Sequence, residues 1–515
     1  MPSTSISDRT TRFVQAALQA DAATIQTQLA SQHVHISLDA SVAHTFAGQA
    51  ILFTMLNLLV RLNDYCPHLH VVLPVIERHP LLRLLSGERL ETALQAFFAP
   101  FPAARKLTFT TAPSIRGADE LEVWVSPTQR HDTLSVWADG WIIYLNEHAP
   151  AGPWDANSVG ASVAAGVATA EVFKHLIRGI PLRPGIPVVP LQRLIFSTYD
   201  YGLGVRENPP LPSTVSVEGV VVVGLGGIGA GFVAAAASLP ALEGQFTLVD
   251  KDALDETNLN RHLVSRPGDT GLKVDLCKRA LAFHPNIIAC PEWFAEFVAA
   301  HGGQHDIVII GVDDDRIRRE IQSSRPRLIL NAGTSDVASF RVTRHDYVHG
   351  ACLSCIARGD VQDHPVEREL ARQLGLDLQT ILDYHASGAP LPAEVLRRAG
   401  VLSEADIQRL GNRPIAEIQV RVCAQVPLGH GNQEAAVSIS FLSALPGFLL
   451  LGELIKERAY PDMQRPPLNH QTNHALWAVF GRPHPTLLQG WRDKRTDCDC
   501  ARPAYQRAYH RKWQD

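Results

Sequence analysis

The stretch VVVVGLGGIGAGF, from Val220 to Phe232, decides the fold of this chain. An apolar strand is followed by a glycine-rich turn that contains Gly224, Gly226, Gly227 and Gly229. Such a turn brings a phosphate group close to the first backbone N–H groups of the next helix. Taken alone, the stretch fits NAD and ATP equally well, and it also fits a tight buried turn that binds no ligand.

Strands and helices alternate after this turn. The sequence predicts strands at 246–250, 306–314 and 327–333 and a helix at 273–283. This order is typical of an α/β fold with a parallel, doubly wound sheet. Residues 360–425 are polar and prone to form helices, so we expect an insertion or lid there.

Charged side chains follow the predicted strands in a pattern that a hydride-transferring enzyme does not need. Asp250 ends the second strand at a spacing suited to ribose hydroxyls. Asn258 and Arg261 come next, then Lys273, and Asp313 follows the third strand. An enzyme that attacks the α-phosphate of ATP needs such cations and amide donors, together with Mg²⁺. The pattern therefore favours ATP over NAD.

The combined motifs resemble the ThiF/MoeB-type adenylating enzymes, a family that includes the ubiquitin-activating enzymes. G-x-G-G-x-G, LVDKD, NLNRH, GLKVD and VDD carry the resemblance, which extends from Val220 to Lys456. Two positions depart from the family pattern, because His262 replaces a glutamine and Asp314 replaces an asparagine. The resemblance implies a Rossmann-like ThiF-type adenylation domain with a doubly wound sheet.

The same resemblance implies roles for individual residues. Asp250 would hold the ribose, and Asp313 would coordinate Mg²⁺. The phosphates would be held by Asn258, Arg261 and Lys273. The predicted ATP site also includes the four glycines and Asp252, and Arg261 and Asp313 are expected to act in catalysis.

Four of the eight cysteines form two close pairs, Cys352 with Cys355 and Cys498 with Cys500. Four thiolates in two pairs suit tetrahedral Zn²⁺, although a lone C-x-x-C also fits a redox pair. Members of the resembled family carry a zinc site of this kind, with C-x-x-C as the usual second pair. We therefore predict structural Zn²⁺ bound by Cys352, Cys355, Cys498 and Cys500.

Cys423 is the distinctive remaining thiol. In thioester-forming members of the family, a cysteine at this place, before a long helix ending in Glu-x-x-Lys, is the nucleophile. Cys423 is therefore predicted to be catalytic, and the nearby His430 could orient a peptide tail or assist the thiol. The other cysteines lie in or beside apolar segments and are expected in the core: Cys66, Cys277 and Cys290.

The N-terminal part also reads as α/β, but no glycine-rich loop follows its strands. Its predicted helix at 157–179 contains a Glu-x-x-Lys pair near its end, and so does the predicted helix at 438–459. Ubiquitin-activating enzymes join an inactive adenylation half to an active one, so we expect a second, degenerate adenylation-like domain. Arg9 or Arg12 could then reach the active site. An unrelated partner-docking domain is the alternative.

We predict three regions along the chain: the degenerate domain at 1–180, a proline-rich connector at 181–216 and the active domain at 217–515. The net charge of −5 argues against a nucleic-acid partner. No segment suits a membrane span, because the most apolar one, 437–455, contains several serines and a glutamate. A cytoplasmic protein is therefore expected, either a monomeric pseudo-dimer or a homodimer.

The sequence thus predicts an enzyme that uses ATP to activate the C-terminal tail of a ubiquitin-like protein. It would form a thioester and transfer the protein to a conjugating enzyme, as in bacterial ubiquitin-like conjugation operons linked to antiviral defence. One alternative is an adenylating enzyme for a sulfur carrier in thiamin or molybdopterin synthesis. Another is a non-catalytic or NAD-binding Rossmann scaffold.

Overall fold

The computed structural model describes most of the chain. Its described residues are 6–112, 116–117, 119–181, 188–334, 339–357, 370–371, 373–387, 389–415, 418, 439–460, 468–469, 472–481, 490–496 and 498–513. The chain divides into two compact units. The first comprises Met1–Cys355 and Ala436–Asp515, and the second comprises Ile356–Ala435.

The first unit contains two seven-stranded sheets. The strands of the N-terminal sheet are β1 (His33–Leu38), β2 (His68–Val72), β3 (Leu107–Thr110), β4 (Leu121–Val125), β5 (Leu134–Asp139), β6 (Ile142–Leu145) and β7 (Leu194–Ser197). Those of the C-terminal sheet are β8 (Val220–Val223), β9 (Phe246–Val249), β10 (Ile287–Cys290), β11 (Ile307–Ile310), β12 (Leu328–Thr334), β13 (Ser339–His345) and β14 (His474–Ala478).

The two sheets have the same topology. Their strand orders are β3-β2-β1-β4-β5-β6-β7 and β10-β9-β8-β11-β12-β13-β14. In each sheet the first five strands along this order are mutually parallel, and the last two strand pairings are antiparallel, so that only the sixth strand is reversed. The predicted doubly wound α/β fold is confirmed, and the N-terminal half repeats its strand order. A short parallel pair, Val215–Ser216 with Leu242–Glu243, lies outside both sheets.

The helices of the first unit are α1 (Asp8–Ala17), α2 (Ala22–Ala30), α3 (Phe46–Val60), α4 (Leu90–Phe98), α5 (Ser158–Leu176), α6 (Gly227–Ala236), α7 (Lys273–Ala280), α8 (Phe294–His301), α9 (Asp315–Ser324), α10 (Leu353–Ala357, which ends past the unit boundary), α14 (Ser440–Ala459) and α15 (Pro503–Trp513). Those of the second unit are α11 (Leu378–Ser387), α12 (Ala393–Ala399) and α13 (Glu404–Leu410). These three helices enclose a small apolar core that includes Ile381, Leu396 and Ile407.

The long helices α5 and α14 join the two halves. They pack so closely that a Cβ added at Gly166 would lie 2.6 Å from Leu445 Cδ2. Each helix ends in a buried ion pair, Glu171–Lys174 and Glu453–Lys456, with 2.5 Å between the nitrogen and oxygen atoms. The predicted similarity of the two helices therefore extends to their buried charges.

Some elements were not predicted, or lie where another structure was expected. Leu194–Ser197, inside the predicted proline-rich connector, forms the edge strand β7, which pairs antiparallel with β6. Strands β3, β10, β13 and β14 were not predicted; β3 and β10 have only four residues each and carry little periodic signal. No helix among the described residues is long and apolar enough to cross a membrane.

Candidate functional site

The glycine-rich turn lies between β8 and α6. Gly224 has φ +85°, a conformation that favours glycine, and its carbonyl lies against Gly229. At Gly226 an added Cβ would meet nothing within 4 Å, so space is open there. Among the described residues, no side chain caps the start of α6. The turn therefore offers a helix N-terminus and the room that a phosphate group requires.

Asp250 follows β9 and lies beside this turn. Its Oδ2 accepts a hydrogen bond of 2.6 Å from the Leu225 N–H, and its Oδ1 accepts one of 2.8 Å from Asp252. Burial raises the pKa of the Asp250 carboxyl. Asp250 therefore fixes the shape of the turn from the position predicted to hold ribose.

Lys273, at the start of α7, is 7% exposed and donates to Asp252 Oδ2 at 2.9 Å. Burial disfavours ionisation of Asp252, but Lys251 and Lys273 hold its pKa below the ordinary value. Asp252 thus binds and orients Lys273, the lysine that is predicted to contact the phosphates.

The segment containing Asn258 and Arg261 forms a short 3₁₀ turn at Glu256–Asn258. The Asn258 side chain accepts from the Asp255 N–H at 3.2 Å, so it stabilises the turn itself. Arg261 donates from Nη1 to the Thr257 carbonyl and to Asn260 Oδ1. Burial, together with repulsion from Arg9, lowers the pKa of Arg261 to about 10.

Arg9 reaches this segment from the N-terminal half. Its charge acts on both Arg261 and Asp255, whereas Asp313, which follows β11, acts on Arg261 with the opposite sign. The same contact includes a hydrogen bond of 3.4 Å from Asn260 to Thr10 Oγ1. Arg9 is thus within electrostatic range of Arg261, while Arg12 on the same helix is exposed.

The two departures from the family pattern have different surroundings. His262 is fully buried, its Nδ1 lies 2.8 Å from Ser265 Oγ, and burial lowers its pKa to about 3. It is therefore a neutral core residue. Asp314 is exposed just before α9, and its Oδ1 accepts a 3.4 Å hydrogen bond from the Ile317 N–H.

Arg61 was not among the predicted site residues. It is fully buried at the C-terminal end of α3 and donates to three carbonyls of the C-terminal half, those of Leu259, Leu263 and Ser265. Asn57 accepts from Arg61 and donates to Leu263. The N-terminal half thus holds the segment that carries Arg261. The sequence signal that could have indicated this role was the pair of polar residues Asn57 and Arg61, four positions apart at the end of an otherwise apolar helix.

The predicted cysteine pairs meet in space. The Sγ–Sγ distance is 3.7 Å for Cys352 and Cys355, 3.6 Å for Cys352 and Cys498, and 3.5 Å for Cys355 and Cys500. A tetrahedral zinc ion with Zn–S bonds of ~2.3 Å places its sulfur ligands ~3.8 Å apart. The four sulfur atoms, all within 4.8 Å of one another, can therefore hold such an ion.

The remaining cysteines divide into two groups. Cys66, Cys277 and Cys290 are buried as predicted, and burial raises the pKa of each thiol, that of Cys66 to about 12. Such thiols are poor nucleophiles. Cys423 and His430 lie outside the described residues.

Residues 214–456 match the ThiF family. This part of the chain is a ThiF-family domain. The glycine turn, Arg261, Lys273 and Asp313 all lie within the ThiF domain, and residues 33–182 match the BilD N-terminal domain. The ThiF match supports an ATP-dependent adenylating enzyme.

Individual proteins are also similar to this chain. The uncharacterized protein y4jF of Sinorhizobium fredii (strain NBRC 101917 / NGR234) is 26% identical over 94% of this chain and 92% of its own length. E. coli MccB is 14% identical, with a TM-score of 0.33, over 56% of this chain and 64% of MccB. Its complex with ATP gives 15% identity and a TM-score of 0.33, over 55% and 67%. The chain thus spans about two thirds of MccB.

Proposed function

We propose that this chain uses Mg²⁺·ATP to adenylate the C-terminal carboxylate of a ubiquitin-like protein. An oxygen of the tail carboxylate attacks the α-phosphorus, and pyrophosphate leaves. The thiolate of Cys423 then attacks the acyl carbon, AMP leaves, and the thioester is passed to a conjugating enzyme. The chain would act in the cytoplasm, as a monomeric pseudo-dimer or a homodimer.

The observation that carries this proposal is the position of Arg261: a Cβ added at Gly227 of the glycine turn would lie 3.1 Å from its Cδ, and the charges of Arg9 and Asp313 both act on its guanidinium. Two cations from different halves of the chain and one carboxylate suit a triphosphate with its metal ion better than they suit NAD. Lys273, held by Asp252, would neutralise further phosphate charge. Asp250 is positioned for a ribose hydroxyl, and Asp313 is exposed and could ligate Mg²⁺.

The repeated strand order supports a protein tail as the substrate. A chain with two adenylation-like halves has the organisation that we expect of a ubiquitin-activating enzyme. The match of residues 33–182 to the BilD N-terminal domain agrees with the resemblance to bacterial conjugation operons. A role in antiviral defence rests on that resemblance alone, and the neighbouring genes would test it.

The test is to incubate the full chain with ATP and a candidate ubiquitin-like protein. We expect pyrophosphate exchange and a covalent adduct that thiols release. Cys423→Ala should abolish the adduct and keep the exchange, whereas Cys290→Ala, which removes a buried core thiol, should keep both.

Other outcomes would favour the alternatives. Pyrophosphate exchange without any adduct, or with a thiocarboxylate product, would indicate a sulfur-carrier enzyme. Exchange that persists in Asp313→Ala would contradict the assigned Mg²⁺ site, and the absence of exchange altogether would favour a non-catalytic or NAD-binding scaffold.

A further inference from the structure

Strands β9 and β10 end side by side at the edge of the sheet that carries the candidate site. They are parallel, and Val249 is opposite Cys290 in their register. The Asp250 N–H donates to the Cys290 carbonyl at 3.2 Å, so the two segments stay together just past the strands. Ligands of open α/β sheets bind in the crevice outside such carboxyl ends. The residues that follow β10 therefore border the site predicted to hold a ribose at Asp250.

Trp293 follows β10 and keeps its indole at the surface. The residue is 38% exposed, whereas its neighbour Phe294 is buried in the core. The Trp293 N–H donates to Glu296 Oε2 at 3.1 Å, which holds the backbone at the start of α8. Single exposed apolar residues are common on protein surfaces, so the neighbours of this indole decide whether it belongs to a site.

A series of polar contacts connects this indole to the candidate site. Lys251 Nζ lies 4.2 Å from the centroid of the Trp293 ring. The same ammonium donates to Asp252 Oδ1 at 2.7 Å, and Asp252 Oδ2 accepts from Lys273 at 2.9 Å. The Asp252 N–H donates to Asp250 Oδ1. The indole is thus joined, through Lys251, to the predicted ribose and phosphate ligands.

The position and the chemistry of the indole suit a nucleobase. The glycine turn follows β8, and Asp250 follows β9, which lies between β8 and β10 in the sheet. A nucleotide with its phosphates at the turn and its ribose at Asp250 extends in the direction of β10, where Trp293 lies. Stacking of a base on an aromatic side chain strengthens binding by about fivefold or more.

We propose that Trp293 is the base-stacking residue of the nucleotide site and lies against the adenine of ATP. This inference rests on the proposed function, because it takes the nucleotide to be ATP. Lys251 bridges the indole and Asp252, so one network positions the groups that contact base and phosphates. Trp293 contacts the base and not the reacting atoms, and it therefore contributes to ATP affinity rather than to the chemical step.

The test measures binding of α,β-methylene-ATP with Mg²⁺ to the full chain by isothermal titration calorimetry. The methylene bridge prevents the release of pyrophosphate, and no partner protein is needed. Trp293→Ala should raise the dissociation constant by about fivefold or more, whereas Trp293→Tyr, which keeps an aromatic ring, should raise it less. The matched control Trp491→Ala removes an indole of similar exposure, 37%, that lies over Gly350, and it should bind as the wild type does.

A probe without a base separates stacking from a general loss of structure. Tripolyphosphate carries the phosphates of ATP without ribose or adenine, so Trp293→Ala and the wild type should be equally inhibited by it in competition with α,β-methylene-ATP. An unchanged dissociation constant for α,β-methylene-ATP in Trp293→Ala would overturn the proposal. Equal weakening of both ligands would overturn it as well, because the loss would then not concern the base.

A second measurement observes the indole in the wild type itself. In chain labelled with fluorotryptophan, the fluorine NMR resonance that is missing from Trp293→Tyr belongs to Trp293. It should shift when α,β-methylene-ATP is added and stay in place when tripolyphosphate is added. A resonance that does not move at saturating nucleotide, or a wild type that binds no nucleotide, would overturn the proposal.

The outcomes for this inference and for the proposed function are distinguishable. A shifted resonance and weakened binding in Trp293→Ala, without pyrophosphate exchange by the wild type, would support stacking and contradict adenylation. Pyrophosphate exchange by a wild type whose Trp293 resonance does not respond to nucleotide would support adenylation and contradict stacking.

Discussion

The guanidinium of Arg61 lies 2.7 Å from the carbonyl oxygen of Ser265, and these two residues belong to different halves of the chain. The same guanidinium donates to the Leu259 and Leu263 carbonyls. A fully buried cation thereby satisfies three backbone acceptors of the segment that carries Arg261. The predicted ATP site is thus held in shape by the half that lacks a glycine-rich loop.

Arg61→Met should lower the free energy of unfolding by about 3 kcal/mol or more, because it leaves buried carbonyls without donors. Arg61→Lys should fall between this variant and the wild type, since an ammonium cannot reach all three acceptors. Urea unfolding measures the effect, and Arg105→Met, at an exposed position, is the control. Equal stability of Arg61→Met and the control would contradict this role.

Arg9→Ala should slow adenylation on the order of 10²-fold, the usual cost of losing one donor to transition-state charge. Arg12→Ala is the matched control, because Arg12 lies on the same helix and is exposed. The measurement is pyrophosphate exchange at saturating ATP, with circular dichroism to verify folding. If the two variants lose activity equally, Arg9 has no special role.

The four-cysteine cluster should contain one zinc ion per chain. Cys352→Ser and Cys498→Ser should each abolish the bound zinc, because three cysteines no longer complete the tetrahedral site. The melting temperature should fall, since the two cysteine pairs are then no longer joined through the ion. Elemental analysis gives the metal content and calorimetry the melting temperature. Cys290→Ser, which changes a buried cysteine elsewhere, should retain the zinc; its loss there would argue against these four ligands.

His262 should make the protein less stable in acid. Burial lowers its pKa to about 3, below the ordinary 6.5, so between these values the unfolded chain binds a proton that the folded chain does not. Above pH 6.5 the histidine causes no pH dependence. Below pH 6.5 it lowers the free energy of unfolding by about 1.4 kcal/mol per pH unit as the pH falls toward 3.

His262→Gln should remove this part of the pH dependence. Unfolding free energies measured from pH 7 to pH 4 should fall less steeply in the variant, by about 1.4 kcal/mol per pH unit. His131→Gln changes an exposed histidine and should leave the slope unaltered. Parallel curves for His262→Gln and the wild type would show that this ring does not stay neutral in the folded state.

Much of the fold and of the candidate site follows from local sequence. The glycine turn, Asp250 and Lys273 were predicted because the ends of neighbouring parallel strands meet at one edge of a sheet. The cysteine pairs were predicted because metal ligands occur at short, regular spacings. Short strands such as β3 and β10 were missed, because four residues carry too little periodicity to distinguish a strand from a loop.

Contacts between distant residues required the tertiary structure. The sequence offered Arg9 and Arg12 equally, and only the packing of α1 beside Asn260 distinguished them. It gave no sign that Arg61 holds the segment around Arg261. The sequence by itself determined the chemistry of the glycine turn and its neighbours, because those signals are local. The tertiary structure decided which side chains of one half reach the other, because that depends on how α5 and α14 bring the two sheets together.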